Sequence, residues 1–214
     1  MIRFDIDSSS ILSYPVSVQS VQSLPLISPV ITNITFSSYV GYYDNSFTVL
    51  NFTQYRFLKR IEIGDWCFRY VREFVIDGLE SLESIKIGKY SFMIDYEERD
   101  DGVCRITNCP NLRQLEIGNW SFRDFKSFEI SNVNSLQSII FGQGCFRYAD
   151  FLLKGEWKER KKCDLNENEN DVLDLPSLVI VTFRESSFSS CHVAVFESMW
   201  WLFIFILISH SRSS

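Results

Sequence analysis

Two histidines are the whole imidazole complement of this 214-residue chain, and both, His192 and His210, stand near its C-terminal end. Cys191 directly precedes His192, but neighbours in an extended chain point to opposite faces, so the pair does not read as nucleophile and base. Cys104 and Cys109 form the one close cysteine pair. They lack a second pair at metal-ligand spacing, and Cys104 shares its repeat position with Phe74 and Phe128, which points to a core thiol. Gly142-Gln-Gly144 opens like a dinucleotide fingerprint, yet the third glycine is missing and the site is a recurring turn position. Lys158, Arg160, Lys161 and Lys162 make a small basic cluster that the following acidic run neutralises, as in a solvated loop. No catalytic, metal or cofactor site is expected, and the chain reads as non-enzymatic.

Composition narrows the classes further. With 46% hydrophobic and 22% charged residues the chain is ordinary globular material. Its net charge of −6 provides no electrostatic footprint for a nucleic-acid partner. Residues 1–20 carry Asp5, Asp7 and a serine run where a secretory leader needs a basic start and an apolar stretch. Three glycosylation sequons, at Asn33, Asn51 and Asn119, are close to the roughly two that chance allows in such a sequence. The expectation is reduced thiols in an intracellular protein.

The elements that must carry any function come from a repeat. Leu58-Lys-Arg-Ile61-Glu-Ile63-Gly64 returns as Leu82 to Gly88, Leu112 to Gly118 and Leu136 to Gly142, and Leu178 to Phe183 lacks only the glycine. A small residue and Phe follow each copy: Cys67-Phe68, Ser91-Phe92, Ser121-Phe122, Cys145-Phe146 and Ser187-Phe188. Six residues before each leading Leu stands another apolar residue: Phe52, Ile76, Ile106, Ile130 and Val172. The leading Leu residues are spaced by 24, 30, 24 and 42, so the unit is 24 residues with charged insertions near 95–101 and 154–171. Insertions of that composition belong on the surface, where extra loop costs little closure entropy.

In L-x-x-I-x-I the last two apolar residues lie two apart and share one face of a short strand. One unit cannot bury that face alone, so units must stack. The expected fold is a repeat solenoid: a parallel β-sheet of short strands, one per 24-residue coil, with little helix. Phe74/Ile76, Cys104/Ile106 and Phe128/Ile130 predict a lesser strand on the opposite wall. The run Ile76, Leu79, Leu82, Ile85, Ile87 resembles a leucine-rich repeat, and the Gly then Ser/Cys-Phe landmark is similar to the BspA-like, Treponema-type subclass. The position that usually holds an asparagine ladder reads Trp66, Tyr90, Trp120, Gly144 and Ser186, which leaves the neighbouring Ser/Cys column to serve the turn backbone.

The solenoid is expected over 58–198, preceded by a poorly ordered Ser-rich segment at 1–30 and a degenerate coil or cap at 31–57. Residues 199–214 form an apolar tail, with ten unbroken apolar residues from Met199 to Ile208. As a helix those ten span about 15 Å, half a hydrocarbon core, so cap, membrane attachment and misread gene end all stay open. The resemblance implies a scaffold that binds another protein. Its candidate surface is the outward side of the main strands: Arg60 and Glu62, Ser84 and Lys86, Gln114 and Glu116, Ser138 and Ile140, Ile180 and Thr182. A membrane-attached surface or adhesion protein, held through 199–208, is the alternative.

Overall fold

The computed structural model describes residues 15–94, 102–147, 149–154, 180–184, 194–197 and 205–209, with backbone placement alone for the last three segments. The insertions at 95–101 and 155–171, Cys163, Cys191, His192, His210 and the 158–162 basic cluster lie outside the described residues. Short parallel strands dominate, and among the described residues the helix is one six-residue 3-10 turn, Val21–Leu26.

Eight strands make the larger sheet: β1 (Pro15–Val18), β2 (Asn33–Phe36), β4 (Arg60–Ile63), β6 (Ser84–Ile87), β8 (Gln114–Ile117), β10 (Ser138–Phe141), β12 (Ile180–Arg184) and β14 (Phe205–Ser209), in that order. Six make the smaller one, running from β3 (Val49–Asn51) through β5 (Glu73–Asp77), β7 (Val103–Thr107), β9 (Ser127–Ser131) and β11 (Asp150–Lys154) to β13 (Ala194–Glu197). From β2 onward successive strands alternate between the sheets, and each pairs in parallel with the strand two places along.

The period-two pattern sets which side chains turn inward. In β4 and β8 burial alternates strictly, with Ile61, Ile63, Leu115 and Ile117 buried and Arg60, Glu62, Gln114 and Glu116 exposed. Register then aligns Ile61, Ile85, Leu115 and Ile139 in one row and Ile63, Ile87, Ile117 and Phe141 in the next. The smaller sheet contributes Leu50, Phe74, Cys104 and Phe128 to the same core cluster, together with Ile76, Ile106 and Ile130. The leading leucines Leu58, Leu82, Leu112 and Leu136 close it from the side at 0% exposure. Each such side chain contributes about 1.5–3 kcal/mol by leaving water.

Two readings of the sequence change. The Ser-rich segment 1–30, expected to be poorly ordered, carries β1 and the 3-10 turn from Pro15 on. Val16 and Val18 pair in register with Ile34 and Phe36, and Val18, Val21 and Leu24 join the core. Val16-Ser-Val18 is a shortened I-x-I, masked by the serines and prolines around it. The second change concerns the long insertion. Sequence spacing puts Val172 in the row of Ile106 and Ile130, but Leu153 on β11 pairs with Ile130, so the insertion follows that strand instead of preceding it. At the far end β14 draws the tail into the larger sheet, pairing Ile206 with Val181 and Ile208 with Phe183.

Candidate functional site

The outer face of the larger sheet brings the predicted partner-facing residues into two rows. One runs Asn33, Arg60, Ser84, Gln114, Ser138 and Ile180, and the other Thr35, Glu62, Lys86, Glu116, Ile140 and Thr182. Arg60, Glu62, Lys86, Gln114 and Glu116 are exposed, and Ser84, Ser138 and Ile140 are half-buried. For Ile180 and Thr182 the backbone register alone is described. Adjacent parallel strands lie about 4.8 Å apart, so Glu62, Lys86 and Glu116 form a row of alternating charge. Lys86 Nζ reaches Glu116 Oε2 at 3.4 Å, with the side chains 63% and 50% exposed. A pair so wet contributes about 0.2–1 kcal/mol, too little for stability to be its main consequence.

The corner after each main strand is built by columns. The Ser91 hydroxyl donates to the Gly64 carbonyl at 2.9 Å and accepts from the Cys67 amide at 3.1 Å. Ser121 repeats this with the Gly88 carbonyl at 2.7 Å and the Ser91 amide at 3.1 Å. Cys67 Sγ donates to the Ser37 carbonyl and Cys145 Sγ to the Gly118 carbonyl. The small residue of the repeat thus satisfies backbone groups of two neighbouring turns. Burial raises the thiols: Cys67 and Cys109 are pushed up to about 11 and Cys145 to about 12, while Cys104 lies well above the ordinary range. They are weak nucleophiles at neutral pH, because the thiolate is the reactive form.

Beside that column Tyr39, Trp66, Tyr90 and Trp120 all adopt positive φ, at 69°, 59°, 56° and 63°. A left-handed residue with a Cβ costs roughly 1–2 kcal/mol. Their amides offset part of this by donating to carbonyls of the following turn: Asp65, Lys89, Asn119 and Gln143. Trp66 and Tyr90 stack with centroids 4.3 Å apart and planes within 10°, and Tyr39 lies parallel to Trp66 at 6.5 Å. The column ends at Gly144, where an added Cβ would sit 2.4 Å from the Trp120 ring. The next residues inward, Phe68, Phe92, Phe122 and Phe146, are also left-handed and stack at 5.3, 4.3 and 4.9 Å.

An amide ladder does exist, at the opposite corner. After the smaller sheet's strands, Asn108 Nδ2 donates to Asp77 Oδ1 at 2.7 Å and Asn132 Nδ2 donates to Asn108 Oδ1 at 2.8 Å. The Thr107 hydroxyl and the Asn108 amide hold the Asp77 carboxyl below its usual range. Sequence reasoning sought asparagine only at the Trp66 corner; Asp77-Gly78, Thr107-Asn108 and Ser131-Asn132 were the visible signal. The aromatic column was noticed only as a departure from asparagine, since sequence carries no sign of φ.

No family model, no curated protein and no solved structure matches the chain.

Proposed function

We propose that the chain is a non-catalytic interaction scaffold, a leucine-rich-repeat-like solenoid of BspA-like character that binds another protein through the outer face of its larger sheet. The observation that carries this reading is the register of exposed Glu62, Lys86 and Glu116 with half-buried Ile140 as one row on the outer face of the larger sheet. The row passes from alternating charge to an aliphatic position. Complementary charges steer and orient a partner, and the apolar end supplies desolvation. Affinity capture followed by titration of the captured protein against Lys86→Glu and Ile140→Asp variants tests the reading. Both variants should weaken binding tenfold or more while melting near the parent. Unchanged affinity in both folded variants would rule the face out.

Membrane attachment through 199–208 is the competing reading, motivated by ten unbroken apolar residues. Against it, β14 uses 205–209 as a sheet strand, which favours a cap. Among the described residues no helix is long and apolar enough to cross a membrane. Fractionation of the chain with and without 199–214 separates the two.

A further inference from the structure

In the stacked column of Tyr39, Trp66 and Tyr90 the inner ring, Trp66, has a parallel neighbour on either side. Tyr39 is its end ring, stacked on Trp66 from one side and 56% exposed. Here the column opens into a surface concavity of about 400 Å³. The Tyr42 ring stands at 81° to Tyr39 with centroids 6.0 Å apart, and Tyr43 stands at 85° to Tyr42 at 4.8 Å. Tyr43 is 84% exposed. Edge-to-face contacts hold these rings in place, and the ring area left in water is available for a ligand to stack on.

The polar groups in the same concavity are ordered around one carboxylate. Gln22 Nε2 donates to Asp44 Oδ2 at 2.9 Å, and the Gln22 Oε1 accepts from the Ser20 hydroxyl. Asp44 Oδ1 accepts from the Ser46 amide at 3.1 Å and from its hydroxyl at 2.6 Å. The Ser46 hydroxyl keeps that carboxyl below its usual range, so it is a fixed acceptor at neutral pH. Asn45 completes the lining with a further amide. No Lys or Arg is among the residues lining the concavity, and the Asp44 carboxylate there repels an anion. A cationic ligand meets a different obstacle: the Arg69 guanidinium already lies over the Tyr42 ring, 5.5 Å from its centroid.

We infer that this concavity is a binding site for a neutral saccharide. A pyranose ring has an apolar C–H face that fits an open tyrosine face, and equatorial hydroxyls that pair with carboxylate and amide groups in one plane. The lining shares no residue with the proposed protein-binding rows, so the inference does not depend on them.

Saturation-transfer NMR and calorimetry on the full chain, with maltotriose, cellotriose, mannotriose, triacetylchitotriose and choline chloride as probes, test the assignment. At least one trisaccharide should bind saturably with a Kd of ~1 mM or tighter. Tyr43→Ala and Asn45→Ala, both at the rim and outside the core, should each weaken it about tenfold, while Glu80→Ala, at an exposed position outside both proposed sites, leaves it unchanged. The inference is overturned if no trisaccharide saturates by about 10 mM, if choline alone binds, or if Tyr43→Ala binds as tightly as the parent.

Discussion

Replacing Gly118 by alanine adds one methyl group where the backbones of neighbouring turns approach closely. The new Cβ would stand 2.6 Å from both the carbonyl carbon and oxygen of Gly88 and 2.8 Å from the Lys89 amide nitrogen. All three are backbone atoms, so no rotamer change relieves the contact. Carbon contacts settle at about 3.5–4.0 Å, so the two turns must part by roughly 1 Å. The Gly118 amide bonds to the Ile87 carbonyl at 2.8 Å, and the same displacement carries that bond beyond about 3.2 Å. One backbone bond lost contributes about 1 kcal/mol, and the overpacking strain about 1–3 kcal/mol. A total near 2–4 kcal/mol is expected.

Gly78→Ala is the control, because it separates steric from conformational cost. Gly78 has φ of +68°, yet the nearest atom to its added Cβ is the mobile Arg56 guanidinium at 3.9 Å. Its expected cost is the left-handed penalty alone, about 1 kcal/mol. Urea titrations of both variants, followed by circular dichroism and tryptophan fluorescence, decide the matter. If Gly118→Ala costs no more than Gly78→Ala at equal m-value, the close approach of neighbouring turns is not what requires glycine in L-x-x-I-x-I-G.

Asn108, at φ of 54° with side-chain bonds to Asp77 and Asn132, should lose about 1–2 kcal/mol on change to Ala. Asn108→Gly, which relieves the φ penalty but not the lost bonds, should lose clearly less in the same titration. The buried thiols make stability depend on alkaline pH: Cys67, Cys109 and Cys145 titrate in the fold at about 11, 11 and 12 against an ordinary 9.0. Between those values the unfolded chain has released protons that the fold still holds, so stability should fall as pH rises from about 9 to about 12. A Cys145→Ala variant should show a shallower decline across that window by chemical denaturation, and an identical slope would refute the assignment.

The alternation of Ile61 with Glu62 and of Ile85 with Lys86 was legible in the sequence, because a strand's side-chain period of two leaves no other way to bury both isoleucines. So were the parallel pairing and the outward row, since units that cannot bury their own apolar face must stack in register. The Ser/Cys column was visible too, as a small polar residue beside a repeated turn. The sequence left undetermined everything that depends on atoms brought together from different units. Trp66, Tyr90 and Trp120 read as replacements for asparagine; amide bonds to the next turn, and for Trp66 and Tyr90 ring stacking, offset the cost of their left-handed backbone. Gly144 read as a repeated turn position, but sequence did not show that it is glycine because the Trp120 ring fills the space a side chain would need. Val16 and Val18 were hidden among serines, since two valines alone carry no period until Ile34 and Phe36 stand beside them. A single chain records which residues prefer water, whereas ring stacking, close backbone approach and a concavity such as that at Tyr39 are relations between turns, and they exist only once the turns are packed.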